Sequence, residues 1–174
     1  MNSATPLVSA RQRREAAAEK YRPAAVRLLL IAEAPPSAEE RYFYFPDVQQ
    51  HDWLFRGVSQ ALTGEAPTRA GKEKVLTELK RMGVFLIDLK LDPIDGSPLE
   101  QYVPGLVSRC KALAPVAIIL IKASVFDAAY HALKATGLPV IDKRIPFPSS
   151  GQQGNFRRLF AEALTGIHLA RQVA

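Results

Sequence analysis

Apolar residues are distributed along the chain in two rhythms. Val26–Ala32, Val84–Leu89 and Val116–Ile121 are short, nearly unbroken apolar runs. Their length, and the prolines or glycines beside them, predict strands buried on both faces. Between them apolar residues recur every three or four positions, the spacing of a helix with one inward face. Trp53–Leu62 places Trp53, Leu54, Val58, Ala61 and Leu62 in this way, and Lys72–Met82 does so with Val75, Leu76, Leu79 and Met82. Ser124–Thr136 and Asn155–Leu164 repeat the pattern, the last with Phe156, Leu159, Phe160 and Ala163 inward. Leu99–Leu113 is also predicted helical, with Pro104 as the place where it breaks or restarts. Arg11–Tyr21 reads as a charged helix closed by Pro23. Leu138–Ile141 is a short fourth strand, and Pro139, which has no N–H to give a ladder, assigns it to an edge.

Buried strands alternating with helices predict crossover connections and a parallel sheet. The expected fold class is therefore α/β, a three-layer α/β/α sandwich around a four-stranded, mainly parallel sheet. Residues 1–23 form a helical extension, 24–166 the domain and 167–174 a tail. In such sheets ligands bind beyond the carboxyl ends of the strands. The loops after Ile31, Ile87 and Ile141 should carry any function.

Composition narrows the classes. The chain has 174 residues and a net charge of +6, which permits a polyanionic partner without requiring one. No apolar run approaches the ~20 residues of a membrane span. Met1–Arg14 has no apolar core, so no secretory signal is predicted. Cys110 is the single cysteine, which excludes an intramolecular disulfide and a four-cysteine cluster and suits a reducing cytoplasm. It lies in a helical stretch and reads as a packed side chain. His51, His131 and His168 show no metal-ligand spacing. No metal or cofactor is implied.

The first loop is Ala32-Glu33-Ala34-Pro35-Pro36-Ser37, followed by Tyr42-Phe43-Tyr44-Phe45. These rings either offer a platform for a flat ligand or plug the end of the sheet. Asp88 ends an otherwise apolar strand, where a carboxylate is costly unless it is bonded, exposed in a site or capping a turn. The third loop, Pro146–Arg158, sets Ser149, Ser150, Gly151 and Gln152 ahead of a helix N-terminus carrying Asn155 and Arg157. Free amides and the helix dipole favour a phosphate there. Alternatively Asn155 caps the helix and the arginines are solvated.

Taken together, these loops resemble the uracil-DNA glycosylase superfamily over roughly Val26 to Leu164. Leu29–Pro36 is similar to its first motif, a strand ending in Gly-Glu-Ala-Pro-Gly in the branch with an iron–sulfur cluster. The aromatics before Leu54 resemble the segment that stacks a ring on the flipped base. Leu86–Lys90 resembles the middle strand, whose Asn reads the uracil edge, and Pro146–Ser149 with Gly151 resembles the last His-Pro-Ser motif. The resemblance implies Glu33 and Asp88 as catalytic groups and Ala34, Phe43, Phe45, Asp88 and Phe147 around the base. It implies Ser149, Ser150, Gly151, Gln152, Asn155 and Arg157 on DNA phosphates.

This chain departs from the pattern at several points. Ala32 and Pro36 replace glycines, Asp88 replaces the Asn, Phe147 replaces the His that stabilises the leaving base, and the cluster cysteines are absent. Two functions follow as expectations. One is a DNA glycosylase that hydrolyses the N-glycosidic bond of a flipped, damaged or deaminated base. The other is a non-catalytic nucleic-acid or nucleotide-binding module on the same fold. An ionised Asp88 accepts hydrogen bonds only, which favours a base with an exocyclic amine over plain uracil. A small-molecule α/β hydrolase is a third class, disfavoured because neither a Gly-x-Ser-x-Gly elbow nor a phosphate-binding P-loop is present.

Overall fold

The structure, a computed structural model, describes residues 8–47, 52–65 and 67–169. Residues 1–7 of the predicted extension, His51, and residues 170–174 of the predicted tail lie outside them. The chain runs α1 (Ala10–Lys20), β1 (Leu28–Ala32), α2 (Trp53–Thr63), α3 (Lys72–Met82), β2 (Val84–Asp88), α4 (Val103–Leu113), β3 (Ala117–Leu120), α5 (Ala123–Ala135) and α6 (Gln153–Leu164). Two 3₁₀ turns, Arg69–Gly71 and Leu99–Tyr102, lead into α3 and α4. Pro104 therefore restarts the helix near its N-terminus, where a missing N–H costs nothing.

The sheet is parallel, in the order β2-β1-β3. All five residues of β1 are buried, because the central strand is covered on both faces and flanked on both edges. Helices flank the sheet in two groups, α2 packing with α3 and α6, and α4 packing with α5.

A four-stranded sheet is not what forms. Leu138–Ile141 touches β3 only through an isolated bridge, Ile118 with Val140, and a second bridge joins Ile121 to Ile145. Pro139 gives its carbonyl to the Ile118 amide at 2.9 Å and the Ile141 amide donates to the Ile118 carbonyl at 2.8 Å, but Pro139 has no N–H to carry the pairing back along β3. The amides of Val140 and Lys143 turn back onto the carbonyls of Leu138 and Ile141, at 2.8 and 2.9 Å. Donors spent locally cannot extend a ladder.

Tyr44 closes the opposite edge. Its hydroxyl donates to the Leu86 carbonyl at 2.8 Å and accepts from the Leu86 amide at 2.7 Å. The outward amide and carbonyl of Leu86 are thereby satisfied without a further strand. Tyr44 stacks in turn on Tyr21, just beyond α1, and Arg14 of α1 is buried against the Leu91 carbonyl and Asp92. The described part of the extension is thus built onto the domain.

Two glycines are required by geometry. Gly83 ends α3 at φ +80°, and a Cβ there would meet Arg27 Cγ at 2.9 Å. Its carbonyl accepts from the amides of Arg27 and Leu28, which aligns β2 with β1. Gly57 lets α2 approach α6 and the loop before it, since its Cβ would lie 3.0 Å from Phe156 and from Pro148. That close approach seats Phe147 beside the strand ends.

Candidate functional site

The ladder continues one step past β1 and β2. Ala32 is the register partner of Asp88, the Leu89 amide donates to the Ala32 carbonyl at 2.8 Å, and the Lys90 amide donates to the Glu33 carbonyl at 2.9 Å. Register partners in a sheet point to the same face, and the next residue points to the other. Asp88 and Glu33 thus leave the sheet end in opposite directions.

On the Asp88 side lies a cavity of about 100 Å³. Its walls come from two loops, the β1–α2 connection with Ala34, Pro35, Tyr42 and Phe43, and the last loop with Phe147, and Leu86 and Asp88 of β2 form the floor. Trp53 and Leu54 of α2 close one side, and Arg41 stands on the wall. A dry cavity of ~150 Å³ takes up benzene, so this one is on the scale of a single flat ring. Of the five residues predicted around a base, it brings together Ala34, Phe43, Asp88 and Phe147. Phe45 does not line it; its ring packs edge-on against Tyr42.

The aromatic segment divides its labour. Tyr44 plugs the sheet edge, while Phe43 stands edge-on to Phe55 with centroids 5.3 Å apart and still presents a ring to the cavity. Lys72 anchors this segment from below. It is fully buried, donates to the Tyr42 carbonyl at 3.2 Å, pairs with Asp52 at 3.0 Å and lies over the Phe55 ring. Burial lowers its pKa, and the Asp52 charge opposes that shift.

Asp88 is 8% exposed, and no described residue donates a hydrogen bond to its carboxyl. Burial pushes its pKa up to about 7, although the positive charges of Arg109 and Arg14 pull the other way. The Arg109 guanidinium is nearby but engaged elsewhere, donating to the Asp88 and Leu89 carbonyls at 2.7 and 3.0 Å. Near neutrality the Asp88 carboxyl therefore exists in both forms. As the acid it offers one donor and one acceptor, the pattern of an amide. The acid form makes the Asp-for-Asn departure smaller than the residue types imply, and the argument against uracil holds for the ionised form alone.

Glu33 is placed differently. Its carboxylate accepts from Lys122 at 2.7 Å and from the Ser124 hydroxyl, and it does not line the cavity. Lys122 adopts φ +84° and ψ 133° between β3 and α5, outside the range that side chains favour. Trp53 and Arg41, which line the cavity, and Lys122 and Ser124, which hold Glu33 outside it, carry no site signal in the sequence. The turn after β3 follows the most apolar run and carries no motif, so only the strand order could have drawn attention to it.

No protein-family model matches the chain, nor does any curated protein.

The predicted phosphate loop lies apart from the base-sized cavity. Ser149 is half-buried, and Ser150, Gly151, Gln152, Asn155 and Arg157 are exposed. Asn155 is inside α6, not its cap; its amide donates to the Gln152 side chain at 3.1 Å. Only Arg157 of this group lines a cavity, one of about 270 Å³ between α2 and α6. A larger cavity of about 690 Å³, between α2, α3 and the C-terminal segment, is lined by none of the predicted site residues. Cys110 is buried, and burial raises its thiol to about 11, which makes it a poor nucleophile. Among the described residues no helix is long and apolar enough to cross a membrane.

Proposed function

We propose that this chain is a uracil-DNA glycosylase-like protein that takes one extruded nucleobase of DNA into the cavity at the ends of β1 and β2. The observation that carries this reading is the meeting of Ala34 and Phe43 of the β1–α2 loop, Asp88 of β2 and Phe147 of the last loop around a space the size of one ring. Phe43 and Phe147 supply apolar ring surface, and stacking on such rings contributes about 1–3 kcal/mol per base. Asp88 in its acid form donates to a carbonyl such as uracil O4 and accepts from the neighbouring N3–H. The carboxylate would set a lone pair against O4, so recognition of that edge weakens as pH rises through about 7.

Hydrolysis is a second reading and an alternative role for Asp88, since a carboxylate acting as base on a water at C1′ is not at the same time the acid bonded to the O4 and N3–H edge across the ring. A general base works best with a pKa near the operating pH, and Asp88 meets that condition inside the cavity. In this step a water attacks C1′, its proton passes to Asp88, and the C1′–N bond breaks with its electron pair leaving on the base. Glu33 has no part in this, because Lys122 and Ser124 hold it outside the cavity. Phe147 supplies no donor to the departing anion, and the loss of one such donor slows a reaction by ~10²–10³. Slow release or binding alone is therefore expected.

The experiment is a pair of assays on oligonucleotides carrying uracil or a deaminated purine. Binding through the cavity should be abolished or strongly weakened by Asp88→Leu, while Glu33→Gln should bind as the parent does. Base release, where present, should fall at least ~10²-fold in Asp88→Asn. Parent protein that neither binds nor releases any base overturns the reading.

A further inference from the structure

We infer that a single strand of DNA flanking the bound base runs from the base cavity across Trp53 into the neighbouring groove, with its phosphates held by Arg41, Arg56 and Arg157. This inference rests on the proposed base-binding function and extends it to a second, contiguous subsite.

Three observations converge on it. The first is continuity. Trp53 lines both the base cavity and the 270 Å³ groove, and the adjacent residues Phe147 and Pro148 line one each. The second is charge. Arginines on this protein are generally engaged: Arg11 and Arg14 with Asp92, Arg13 with Glu39, Arg22 with Glu19, Arg144 with Asp127 and Arg158 with Glu162. Arg27 and Arg109 are bound to backbone carbonyls, and Arg81 pairs with Glu78. Among the described side chains, only the guanidinium groups of Arg41, Arg56 and Arg157 make no hydrogen bond or ion pair. All three line these two cavities. The third is the lack of competing acids in the groove. No carboxylate of a described residue lines it; on the base-cavity wall Asp52 is paired with Lys72, and Asp88 is the further acid there.

Unpaired arginines beside an aromatic ring are the combination that grips a single strand: guanidinium groups on phosphates, and a ring under a base. Gln60 and Gln153, also on the groove wall, add neutral donors. Among the described residues the salt bridges elsewhere leave no comparable concentration of uncommitted arginines, so the positive balance is expected to be effective here.

Trp53 is the only tryptophan, so the track reports on itself. Titrating the full-length protein with an oligothymidylate of ~8 nucleotides, a length suited to such grooves, should quench Trp53 emission. Each phosphate contacted on a single strand contributes a slope of ~0.7 to log K against log salt, so three contacts give about −2. The combined Arg41→Ala, Arg56→Ala and Arg157→Ala variant should lose at least ~tenfold in affinity and most of that slope. Arg144→Ala, which removes a paired arginine elsewhere, should change neither. Deoxyuridine has no phosphate, and its binding in the base cavity should be unaltered by Arg56→Ala with Arg157→Ala, neither of which lines that cavity. Parent protein that fails to bind the oligonucleotide, binds it without a change in Trp53 emission, or keeps its slope after the triple substitution overturns the inference. If deoxyuridine does not bind but arginine-dependent oligonucleotide binding persists, the base reading fails and the track stands.

Discussion

Glu33 and Asp88 occupy near-equivalent places, one residue past the end of β1 and at the last residue of β2. Their surroundings give them opposite chemistry. Glu33 is clamped by Lys122 and Ser124, both from the turn into α5, and its acceptor oxygens are committed. Asp88 is more deeply buried, receives no hydrogen bond to its carboxyl from a described residue, and is pushed to about 7. The cause is a one-residue offset. Asp88 pairs with Ala32, so Glu33 emerges on the other face of the sheet. A carboxylate at a strand end becomes a site only when its face opens on a cavity and its neighbours leave it unsatisfied.

Substitutions at the two carboxylates should break this contrast in order of size. The largest effect is expected from Asp88→Asn. A carboxyl raised from about 4 when unfolded to about 7 when folded contributes stability that is fully present below pH 4 and lost as pH rises through 7. The neutral amide escapes that loss. Asp88→Asn should therefore be more stable than the parent at pH 8 by about 2–4 kcal/mol and nearly equal to it at pH 4, in urea unfolding at the two pH values. Equal stability at both would mean that Asp88 is not buried as described.

Glu33→Ala should act in the opposite sense. It strands Lys122 and Ser124 and should lower stability by about 1–3 kcal/mol at pH 7, while leaving deoxyuridine affinity within about twofold. A large loss of affinity at constant stability would put Glu33 in the site after all. Deoxyuridine binding supplies a third contrast, read by calorimetry. Between pH 7 and 9 the affinity should fall by about tenfold per unit in the parent, as the acid form of Asp88 is depleted, and stay level in Asp88→Asn. The smallest effect is expected from Lys122→Met. Its ammonium is 43% exposed and Ser124 still holds Glu33, so the cost should be under about 1 kcal/mol by thermal unfolding.

Much of the fold could be read from the chain, because burial on both faces leaves an apolar run that polar neighbours cannot imitate. Lys72–Met82 forms with the predicted bounds, since Gly83 at positive φ stops it cleanly. Leu138–Ile141 failed because pattern alone does not reveal that the amides of Val140 and Lys143 turn back on their own segment. That Ala34, Phe43, Asp88 and Phe147 meet around one cavity was legible from loop order, since strand ends converge in a parallel sheet. Glu33 could not be placed without the register that sends it to the opposite face. Arg41, Arg56 and Trp53 carried no motif; what distinguishes the two arginines is that other arginines found partners, a property of the folded chain.

The most direct measurement is the pH titration of the Asp88 side-chain carboxyl by carbon NMR, with and without deoxyuridine. The predicted result is an apparent pKa near 7 in the free protein, moving upward when the nucleoside binds, because the base edge selects the acid. A carboxyl that titrates in the ordinary range near 4, or one near 7 that does not move at saturating nucleoside, would contradict recognition of a base by Asp88.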